Sequence, residues 1–394
     1  MKERVKNLIL AASSVVVFLL ILELVLALFW PQKIVRHTYQ AENGQYHPVI
    51  GWVNKPGISG RVIVSDKMVF NRTHNSRGLR SLREIPYEKP AGTKRVLILG
   101  DSFTWGMGVN DGDIISEQLQ RRAGEKFEVI NGSVIGYGTD QELLWLTEEG
   151  LKYKPDLVVL AFYPWNDYEE ISQSISYGYP KPFFGLEGDE LVLGGVPVPD
   201  TTETRRKGFN EPQTAFGKLK KFLRHHTHTY PFFARLLNSI PGIRRLFVRI
   251  GLAEEYTRAL PGIPYKRINP DKVRELSDAL IREIQRVSTG EAKAEFLFML
   301  IPIVEQDPGR TIGYEGDIDW DERYAENTRN SAWYEAFTKK YGMRYLDLLP
   351  ATRSSHLQGI RVYNPDKDDH HWSAAGHRMA ADALYDRITK DMLQ

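Results

Sequence analysis

The sequence RVLILGDS, residues 95–102, is a run of apolar residues that ends in Gly-Asp-Ser. Four similar runs follow it: FEVINGS (127–133), DLVVLAFYP (156–164), AEFLFMLIP (294–302) and RYLDLLP (344–350). Apolar runs without polar alternation are typical of strands buried on both faces, as in a parallel sheet covered by helices. The stretch at 95–102 is therefore predicted to be the first strand of such a sheet, with Ser102 just beyond its carboxyl end.

Amphipathic helices are predicted between these strands. The clearest extends from Pro270 to about Val287, with apolar residues at steps of three and four. Asn269 or Asp271 is the candidate N-cap, and Gly290 the candidate end. A last helix near the C-terminus has one apolar face formed by Ala380, Leu384 and Ile388. Repeated strand-helix alternation predicts an α/β fold with a right-handed, doubly wound parallel sheet.

Composition excludes several classes of protein. The 394-residue chain has a net charge of +2 and 26% charged residues, which indicates a globular protein without a nucleic-acid partner. It contains no cysteine, so thiol nucleophiles, disulfides and Cys-ligated zinc are excluded. The sequence has no G-x-S-x-G, H-E-x-x-H, Walker or G-x-G-x-x-G motif, and no cofactor is expected.

The N-terminus predicts a membrane anchor. Residues 8–30 form a nearly unbroken apolar run of about 20 residues, enough to span a bilayer, and Trp30 suits the interface. Lys2, Arg4 and Lys6 place the N-terminus in the cytoplasm and the remainder outside it, in a periplasm or at the cell surface. A cleavable signal peptide is the alternative. It would have a shorter apolar core ending in small residues, which LVLALFWPQK does not provide.

A single carboxyl group interrupts this apolar run. A charged Glu23 within a span is expensive, which predicts either protonation or a helix partner. The other interpretation is a tolerated carboxyl near the far interface.

The chain is predicted to have three parts. Residues 1–30 form the cytoplasmic tip and anchor, 31–93 a stem and domain edge, and 94–394 the α/β domain. An insertion at about 168–267 interrupts that domain. Within it, FFGLEGDELVLGGVPVP predicts a hairpin, and FGKLKKFLRHH and PFFARLLNSIPGIRRLFVRI predict basic amphipathic helices. These helices either pack on the host domain or rest on the bilayer.

Polar residues follow the predicted strands where ligands bind in open parallel sheets. They are Ser102, the NGSVIGYGT segment (131–139), Asn166 in YPWND, and the cluster DDHHWSAAGH (368–377). Each has a structural alternative: Ser102 and Asn166 as helix caps, the glycines in a turn, and the Asp-His cluster as a solvated or metal-binding group. A metal site is disfavoured because no carboxylate-rich partner segment is evident. The combination favours an active site.

From about residue 94 to the C-terminus, the chain resembles the SGNH, or GDSL-type, hydrolase superfamily. The matching blocks are Gly100-Asp101-Ser102, Gly136, Asn166 and His371 with the following Gly376-His377 pair. The resemblance implies a flavodoxin-like three-layer α/β/α sandwich, with Ser102 as nucleophile and His371 as base. It also implies an oxyanion hole made by the N–H groups of Ser102 and Gly136 and the amide of Asn166.

The resemblance leaves the triad acid open. Many superfamily members have D-x-x-H, which selects Asp368, whereas the membrane-associated polysaccharide O-acetyltransferase branch often has D-x-H-W, which selects Asp369. Asp369 is preferred because Trp372 follows the histidine. The NSRGLR stretch at 75–80 also resembles a segment found before the G-D-S block in anchored members.

The expected activity is ester hydrolysis or acyl transfer through a Ser-His-Asp acyl-enzyme, acting on an acylated glycan or another small envelope ester. Four aromatic residues beside the predicted catalytic groups either stack on sugar rings or belong to the core: Trp105, Tyr163, Trp165 and Trp372. Two alternatives remain at this point. One is a catalytically idle scaffold of an envelope polysaccharide machine, and the other is a lipid-directed esterase.

Overall fold

The structure, a computed structural model, describes residues 2–32, 43–64, 68–201, 219, 222–223, 226–238, 266–303, 320–364 and 371–391. The chain divides into two compact units. One contains residues 40–62, 69–200 and 258–394, and it holds the central sheet. The other contains residues 1–39, 63–68 and 201–257.

The helices of the described residues are α1 (Lys2–Phe29), α2 (Ser102–Trp105), α3 (Ile115–Ala123), α4 (Thr139–Glu148), α5 (Pro164–Ile171), α6 (Thr229–Asn238), α7 (Pro270–Gly290), α8 (Trp320–Lys340), α9 (Leu349–Leu357) and α10 (Ala374–Asp391). Short 3₁₀ turns occupy Asp111–Asp113 and Gly150–Tyr153.

Five parallel strands form the central sheet: β5 (Arg95–Leu99), β6 (Glu128–Asn131), β7 (Leu157–Phe162), β12 (Glu295–Leu300) and β13 (Arg344–Asp347). Their order is β13-β12-β7-β5-β6, so the chain starts inside the sheet, moves to one edge and then crosses to the other. Leu99 pairs with Leu160, and Leu300 pairs with both Phe162 and Asp347. The carboxyl ends of the strands therefore meet at one edge of the sheet.

Alternate residues of each strand enter two separate hydrophobic cores. Leu97, Leu160 and Phe298 belong to the core that also contains side chains of α4 and α7. Ile98 and Val159 belong to the core on the opposite face, which contains side chains of α3 and α10. This arrangement confirms the predicted three-layer α/β/α sandwich, because both faces of the parallel sheet are covered by helices.

Two of the predicted helices and the hairpin of the insertion are also present. Helix α7 covers the stretch predicted from Pro270 and ends at Gly290, and the apolar face of α10 is buried in the core. The hairpin of the insertion consists of β10 (Phe183–Glu187) and β11 (Glu190–Gly194). Much of the two basic stretches lies outside the described residues. Among the residues of these stretches that are described, those of α6 form a continuous helix.

Four short antiparallel strands precede the sheet: β1 (Gly44–His47), β2 (Gly51–Asn54), β3 (Ser59–Ile63) and β4 (Val69–Thr73). A further short pair is β8 (Ile175–Ser176) with β9 (Tyr179–Pro180). Residues 43–62 lie in what the sequence predicted as a stem. They pack on the loop after β6: the Trp52 indole donates to the Ile135 carbonyl at 3.0 Å, and the Asn54 amide donates to the Ser133 carbonyl at 3.1 Å.

Helix α1 contains 28 residues, about 42 Å at the usual rise per residue. It is long and apolar enough to cross a membrane, a description that a signal sequence also meets.

Candidate active site

The loop after β5 places Ser102 at the start of a short helix. The Asp101 carboxylate accepts a hydrogen bond from the N–H of Phe103 at 2.8 Å and so caps α2, which ends at Gly106 with a left-handed φ of 100°. A Cβ at position 100 would lie 2.2 Å from Thr104 Oγ1, so only glycine fits at this turn. Ser102 is half-buried at the helix start. The hydroxyl is therefore presented at the carboxyl edge of the sheet while Asp101 performs the capping.

His371 is brought to Ser102 from the other end of the domain. Its Nε2 lies 2.7 Å from Ser102 Oγ, although the two residues are 269 positions apart. The neighbouring Trp372 is fully buried and its ring contacts Phe103 edge-on, at 5.4 Å between centroids. The His371 carbonyl also accepts a hydrogen bond from the N–H of Asn364 at 2.9 Å. Core packing of the next residue thus fixes the backbone that carries the imidazole.

Two backbone N–H groups at the site have no acceptor among the described residues: those of Ser102 and Gly136. Gly136 is buried and has a φ of 74°, in the left-handed region that favours glycine. A buried N–H without an acceptor is costly, and such groups are usually satisfied by another group or a ligand. These two donors are therefore available to an oxygen atom placed next to the serine.

The Asn166 side chain joins the serine turn to the Gly136 turn. Its Nδ2 donates to Asp101 Oδ2 at 2.8 Å and to the Tyr137 carbonyl at 3.4 Å. Asp101 precedes the serine and Tyr137 follows the glycine, so one amide connects both turns. The bond to Tyr137 is long, and its hydrogen is the easier one to redirect.

A buried acidic cluster lies beneath these turns. Burial raises the pKa of Asp101, an effect opposed by the Phe103 N–H, His371 and the Asn166 amide. Burial and the neighbouring Asp101 hold the pKa of Asp167 well above its usual range. The carboxyl of Glu142 has no hydrogen-bond partner among the described residues. Burial and nearby carboxylates raise the pKa of Glu142 well above its usual range. Glu142 is therefore the carboxyl most readily kept protonated.

Asp167 ties together the two loops that border the site. Its carboxylate accepts from Thr139 Oγ1 at 2.8 Å and from the N–H of Tyr163 at 2.8 Å. Thr139 begins α4 directly after the Gly136 turn, and Tyr163 precedes α5 with Asn166. The relative position of Gly136 and Asn166 is thus held by a buried hydrogen-bonded carboxylate.

Arg80 holds the far end of the serine helix. Its side chain is fully buried. It donates to the carbonyls of Trp105 and Gly106 at the end of the helix, of Val109 in the loop after it, and of Asn71 in β4. It also pairs with Asp111 at 3.1 Å and lies 4.1 Å from the centre of the Trp105 ring. Arg80 belongs to the NSRGLR stretch. It fixes the turn at which α2 ends.

Three of the four aromatic residues considered for sugar stacking are core residues. Trp105 and Trp372 are fully buried and Tyr163 is 1% exposed, so none presents a ring face to a ligand. Tyr163 packs against Phe103 at 4.2 Å between ring centroids, and Trp105 packs against Phe70 and His74. For these three rings the structure supports the core alternative: Tyr163 and Trp372 belong to the core beside α3 and α10, and Trp105 is buried against Phe70 and His74. Trp165 alone is partly exposed.

Asp368 and Asp369, the two candidate acids, lie outside the described residues. Their position relative to His371 therefore stays a prediction.

The second histidine of HWSAAGH, His377, has a different role from His371. His377 is fully buried, its Nδ1 accepts from the N–H of Ile115 at 3.1 Å, and burial lowers its pKa to about 3. It is thus a neutral structural residue that links α3 to α10.

Several residues of the site were not predicted as functional. Asp101 accepts from Asn166, Asp167 connects two loops, and Trp52 supports the Gly136 turn through Ile135. The Asp101 and Asp167 positions were visible in the G-D-S and N-D pairs. The contact from Trp52 had no local signal in the sequence.

Comparison with solved structures finds similar chains among esterases, lipases and acylhydrolases. A putative acylhydrolase from Bacteroides fragilis is 12% identical, with 78% of this chain and 91% of that chain covered and a TM-score of 0.36. A GDSL-like lipase from Bacteroides thetaiotaomicron is 12% identical, with 76% and 89% covered and a TM-score of 0.35. A lipase/acylhydrolase from Enterococcus faecalis is 15% identical, with 76% and 96% covered and a TM-score of 0.35.

No protein-family model and no curated protein matches the sequence. Because the identities and TM-scores of the similar structures are low, the interpretation of the site depends on its own geometry.

Proposed function

We propose that this chain is a serine esterase of the SGNH type that forms an acyl-enzyme on Ser102. The observation that carries the proposal is the 2.7 Å contact between Ser102 Oγ and His371 Nε2, made across 269 residues. A serine hydroxyl is a weak nucleophile at neutral pH and needs an adjacent base. A contact of this length places the base within hydrogen-bond reach of the proton that it removes.

In the first step, neutral His371 accepts the Ser102 proton at Nε2 as Oγ attacks the acyl carbon. The acyl carbonyl becomes an oxyanion, and the imidazole becomes an imidazolium. The imidazolium then gives the proton to the leaving alcohol, which departs with the bonding electrons as the carbonyl forms again. Asp369, or alternatively Asp368, is the proposed carboxylate that would orient and stabilise the imidazolium.

The oxyanion is proposed to bind the N–H groups of Ser102 and Gly136 and one hydrogen of the Asn166 amide. Support comes from the lack of acceptors for the two N–H groups among the described residues and from the long Asn166 bond to Tyr137. The two backbone N–H groups are fixed donors, which stabilise charge without having to reorganise during the reaction.

In the second half, water or a sugar hydroxyl attacks the acyl-enzyme, and His371 removes its proton. Ester hydrolysis and O-acyl transfer differ only in this acceptor. We include O-acetyl esters of envelope glycans as the substrate class, because the resemblance to the O-acetyltransferase branch rests on the histidine-tryptophan pair at 371–372. The N-terminal apolar helix supports membrane anchoring, and the basic residues before it support an extracytoplasmic catalytic unit.

The test is hydrolysis of an acetyl-ester reporter by the full-length protein in detergent. Ser102→Ala and His371→Ala should each abolish turnover, because each removes one half of the contacting pair. Ser133→Ala is the matched control. Ser133 is a buried serine whose Oγ lies 2.7 Å from Thr104 Oγ1, and its hydroxyl makes no contact with His371 among the described residues. Equal turnover by wild type, Ser102→Ala and His371→Ala would overturn the proposal.

Covalent labelling separates an esterase from an idle scaffold. A fluorophosphonate probe should modify wild type at Ser102 and leave Ser102→Ala unlabelled, because only an activated hydroxyl attacks phosphorus. Product analysis with water and candidate sugars in competition then identifies the acyl acceptor. A comparison of acetyl and long-chain esters tests the lipid-directed alternative.

A further inference from the structure

A carboxylate within the apolar N-terminal helix caps a helix of the insertion. Glu23 Oε1 accepts from the N–H of His228 at 2.7 Å, and Oε2 accepts from the N–H of Thr229 at 2.7 Å and from its hydroxyl. These groups lie at the start of α6. The first N–H groups of a helix have no partner inside the helix and attract negative charge. Helix α6 is therefore the partner that a charged Glu23 needs within a membrane span, where an unpaired charge costs free energy.

Further contacts connect the same two segments. The Trp30 and Phe232 rings meet edge-on at 5.8 Å between centroids, and His228 Nδ1 lies 3.0 Å from both the N and O of Gln32. Leu26 and Gln32 are 3% and 5% exposed. One side of the last turns of α1, which includes Leu26, is thus packed, whereas the apolar side chains earlier in the helix face outward.

The position of Glu23 sets the depth of this contact. Glu23 precedes Trp30 by seven residues, about 10 Å along a helix. With Trp30 at the interface, the capped start of α6 lies near the boundary between headgroups and hydrocarbon. A helix end at this depth needs its N–H groups satisfied by protein, because hydrocarbon offers no acceptor.

The insertion also carries the surface chemistry of a lipid-binding segment. Leu219, Phe222 and Leu236 are 53%, 57% and 48% exposed, so large apolar side chains face away from the protein. From residue 212 to residue 253 the sequence contains Lys and Arg but no Asp or Glu. Exposed apolar groups combined with basic residues suit an interfacial segment on an anionic membrane.

We propose that α6 and the exposed Leu219 and Phe222 before it lie in the outer-leaflet interface beside the anchor, held there by Glu23, with anionic phospholipid as the partner. The exposed apolar side chains of α1 and those of Leu219, Phe222 and Leu236 belong to the same compact unit, which is why lipid is the occupant. The inference rests on the membrane anchoring within the proposed function, and it is independent of the ester chemistry. It also makes α1 a permanent part of the protein, because its removal would uncap α6.

The absence of cysteine permits single nitroxide labels in the full-length protein. Leu236→Cys and Phe222→Cys are labelled in vesicles of phosphatidylcholine containing phosphatidylglycerol, and collision rates with oxygen and with a nickel chelate are measured. Leu20→Cys, 65% exposed in the apolar stretch, is the lipid reference. Leu357→Cys, a 77% exposed leucine of the sheet-bearing unit, is the matched control. Oxygen collisions should dominate at 222 and 236, as at 20; nickel-dominated collisions at both would overturn the proposal.

Variants of Glu23 test the link between the two helices. Glu23→Leu makes the anchor more apolar but removes the cap of α6. The ratio of oxygen to nickel-chelate collision rates at position 236 should therefore fall. Glu23→Gln keeps an acceptor and should retain most of the oxygen preference. An unchanged ratio in Glu23→Leu would refute the capping role. Vesicles of phosphatidylcholine alone should weaken the oxygen preference, and equal ratios in both lipids would refute the anionic partner.

Two controls separate this proposal from the proposed function. Intact mass of the membrane-extracted protein should include α1, and a chain that lacks residues 1–30 would overturn the inference. Reporter hydrolysis measured on the same vesicles informs only on the esterase. If the protein in these vesicles does not hydrolyse the reporter but oxygen collisions still dominate at positions 222 and 236, the proposed esterase is refuted and the membrane contact is retained.

Discussion

Substitution of Arg80 by Met should destabilise the sheet-bearing unit and slow catalysis, although Arg80 touches no reacting atom. The guanidinium is fully buried, pairs with Asp111 at 3.1 Å and donates to carbonyls at the end of α2 and in the loop after it. Met has a similar length and keeps the apolar packing. The substitution therefore isolates the loss of the charge and its hydrogen bonds.

The size of the effect follows from burial. Removing one partner of a buried ion pair costs about 3–5 kcal/mol, because the other charge is left without compensation. Asp111 is 7% exposed and would be that charge. The carbonyls that lose their donor add to the cost wherever water does not replace it. Since domains are stable by about 5–15 kcal/mol, Arg80→Met should lose a large share of its free energy of unfolding.

Urea unfolding of the full-length protein in detergent measures this loss. Arg83→Met is the matched control: its side chain is 33% exposed and lies 3.8 Å from Glu128, so a loss near 1 kcal/mol is expected. Adding Asp111→Asn to Arg80→Met should restore part of the stability, since it removes the unpaired charge and keeps an acceptor for the N–H of Thr73. Equal losses for Arg80→Met and Arg83→Met would refute the reasoning.

Arg80→Met should also affect kcat and KM differently. Arg80 fixes the turn at Gly106, where the helix that begins with Ser102 ends, so a looser turn misplaces the nucleophile. Because Arg80 is buried, substrate binding should change little. Reporter hydrolysis by the folded fraction of Arg80→Met should have a lower kcat at nearly constant KM, and a change in KM alone would contradict this role.

Three further outcomes are expected. Asn166→Ala should lower kcat by about 10²–10³ with little change in KM in steady-state kinetics, and a fall below about tenfold would exclude the amide from the oxyanion hole. Gly136→Ala should lose about 1–2 kcal/mol in urea unfolding and also lower kcat, because alanine is strained at a φ of 74° and the N–H moves. Burial raises the pKa of Glu170 from 4.5 to about 7, so the native state keeps a proton that the unfolded chain has released. The contribution of Glu170 to the free energy of unfolding should therefore decline as the pH rises from the unfolded pKa of 4.5 through the native pKa of about 7. Glu170→Gln should flatten this decline in urea unfolding between about pH 5 and pH 8. Equal slopes of unfolding free energy against pH in wild type and Glu170→Gln would contradict this prediction.

The local pattern of the sequence was enough for the strands of the sheet, for several helices and for the choice of candidate site residues. Uninterrupted apolar runs identified the five strands, because a strand buried on both faces has no polar position to place. Polar residues at the ends of those runs identified Ser102, Gly136 and Asn166, since parallel strands bring their carboxyl ends to one edge. The steps of three and four in α7 were equally local, as an amphipathic helix needs nothing else to be recognised.

Burial could not be read from the same patterns. Trp372 directly follows His371 and Trp105 lies three residues after Ser102, yet both are fully buried, and Tyr163 is nearly so. Adjacent side chains point in different directions, so proximity along the chain does not decide which ring faces a ligand. The contact of Trp52 with the Ile135 carbonyl spans 83 residues and depends on how a separate hairpin packs.

The sequence by itself determined the type of fold, the apolar helix and the residue types available for chemistry, because periodicity and composition act over a few neighbouring residues. Only the tertiary structure decided the strand order, the 2.7 Å approach of His371 to Ser102 and the Arg80 contacts at the end of the serine helix. Those features arise from packing between segments far apart in the chain, where the identity of a residue does not specify its neighbours.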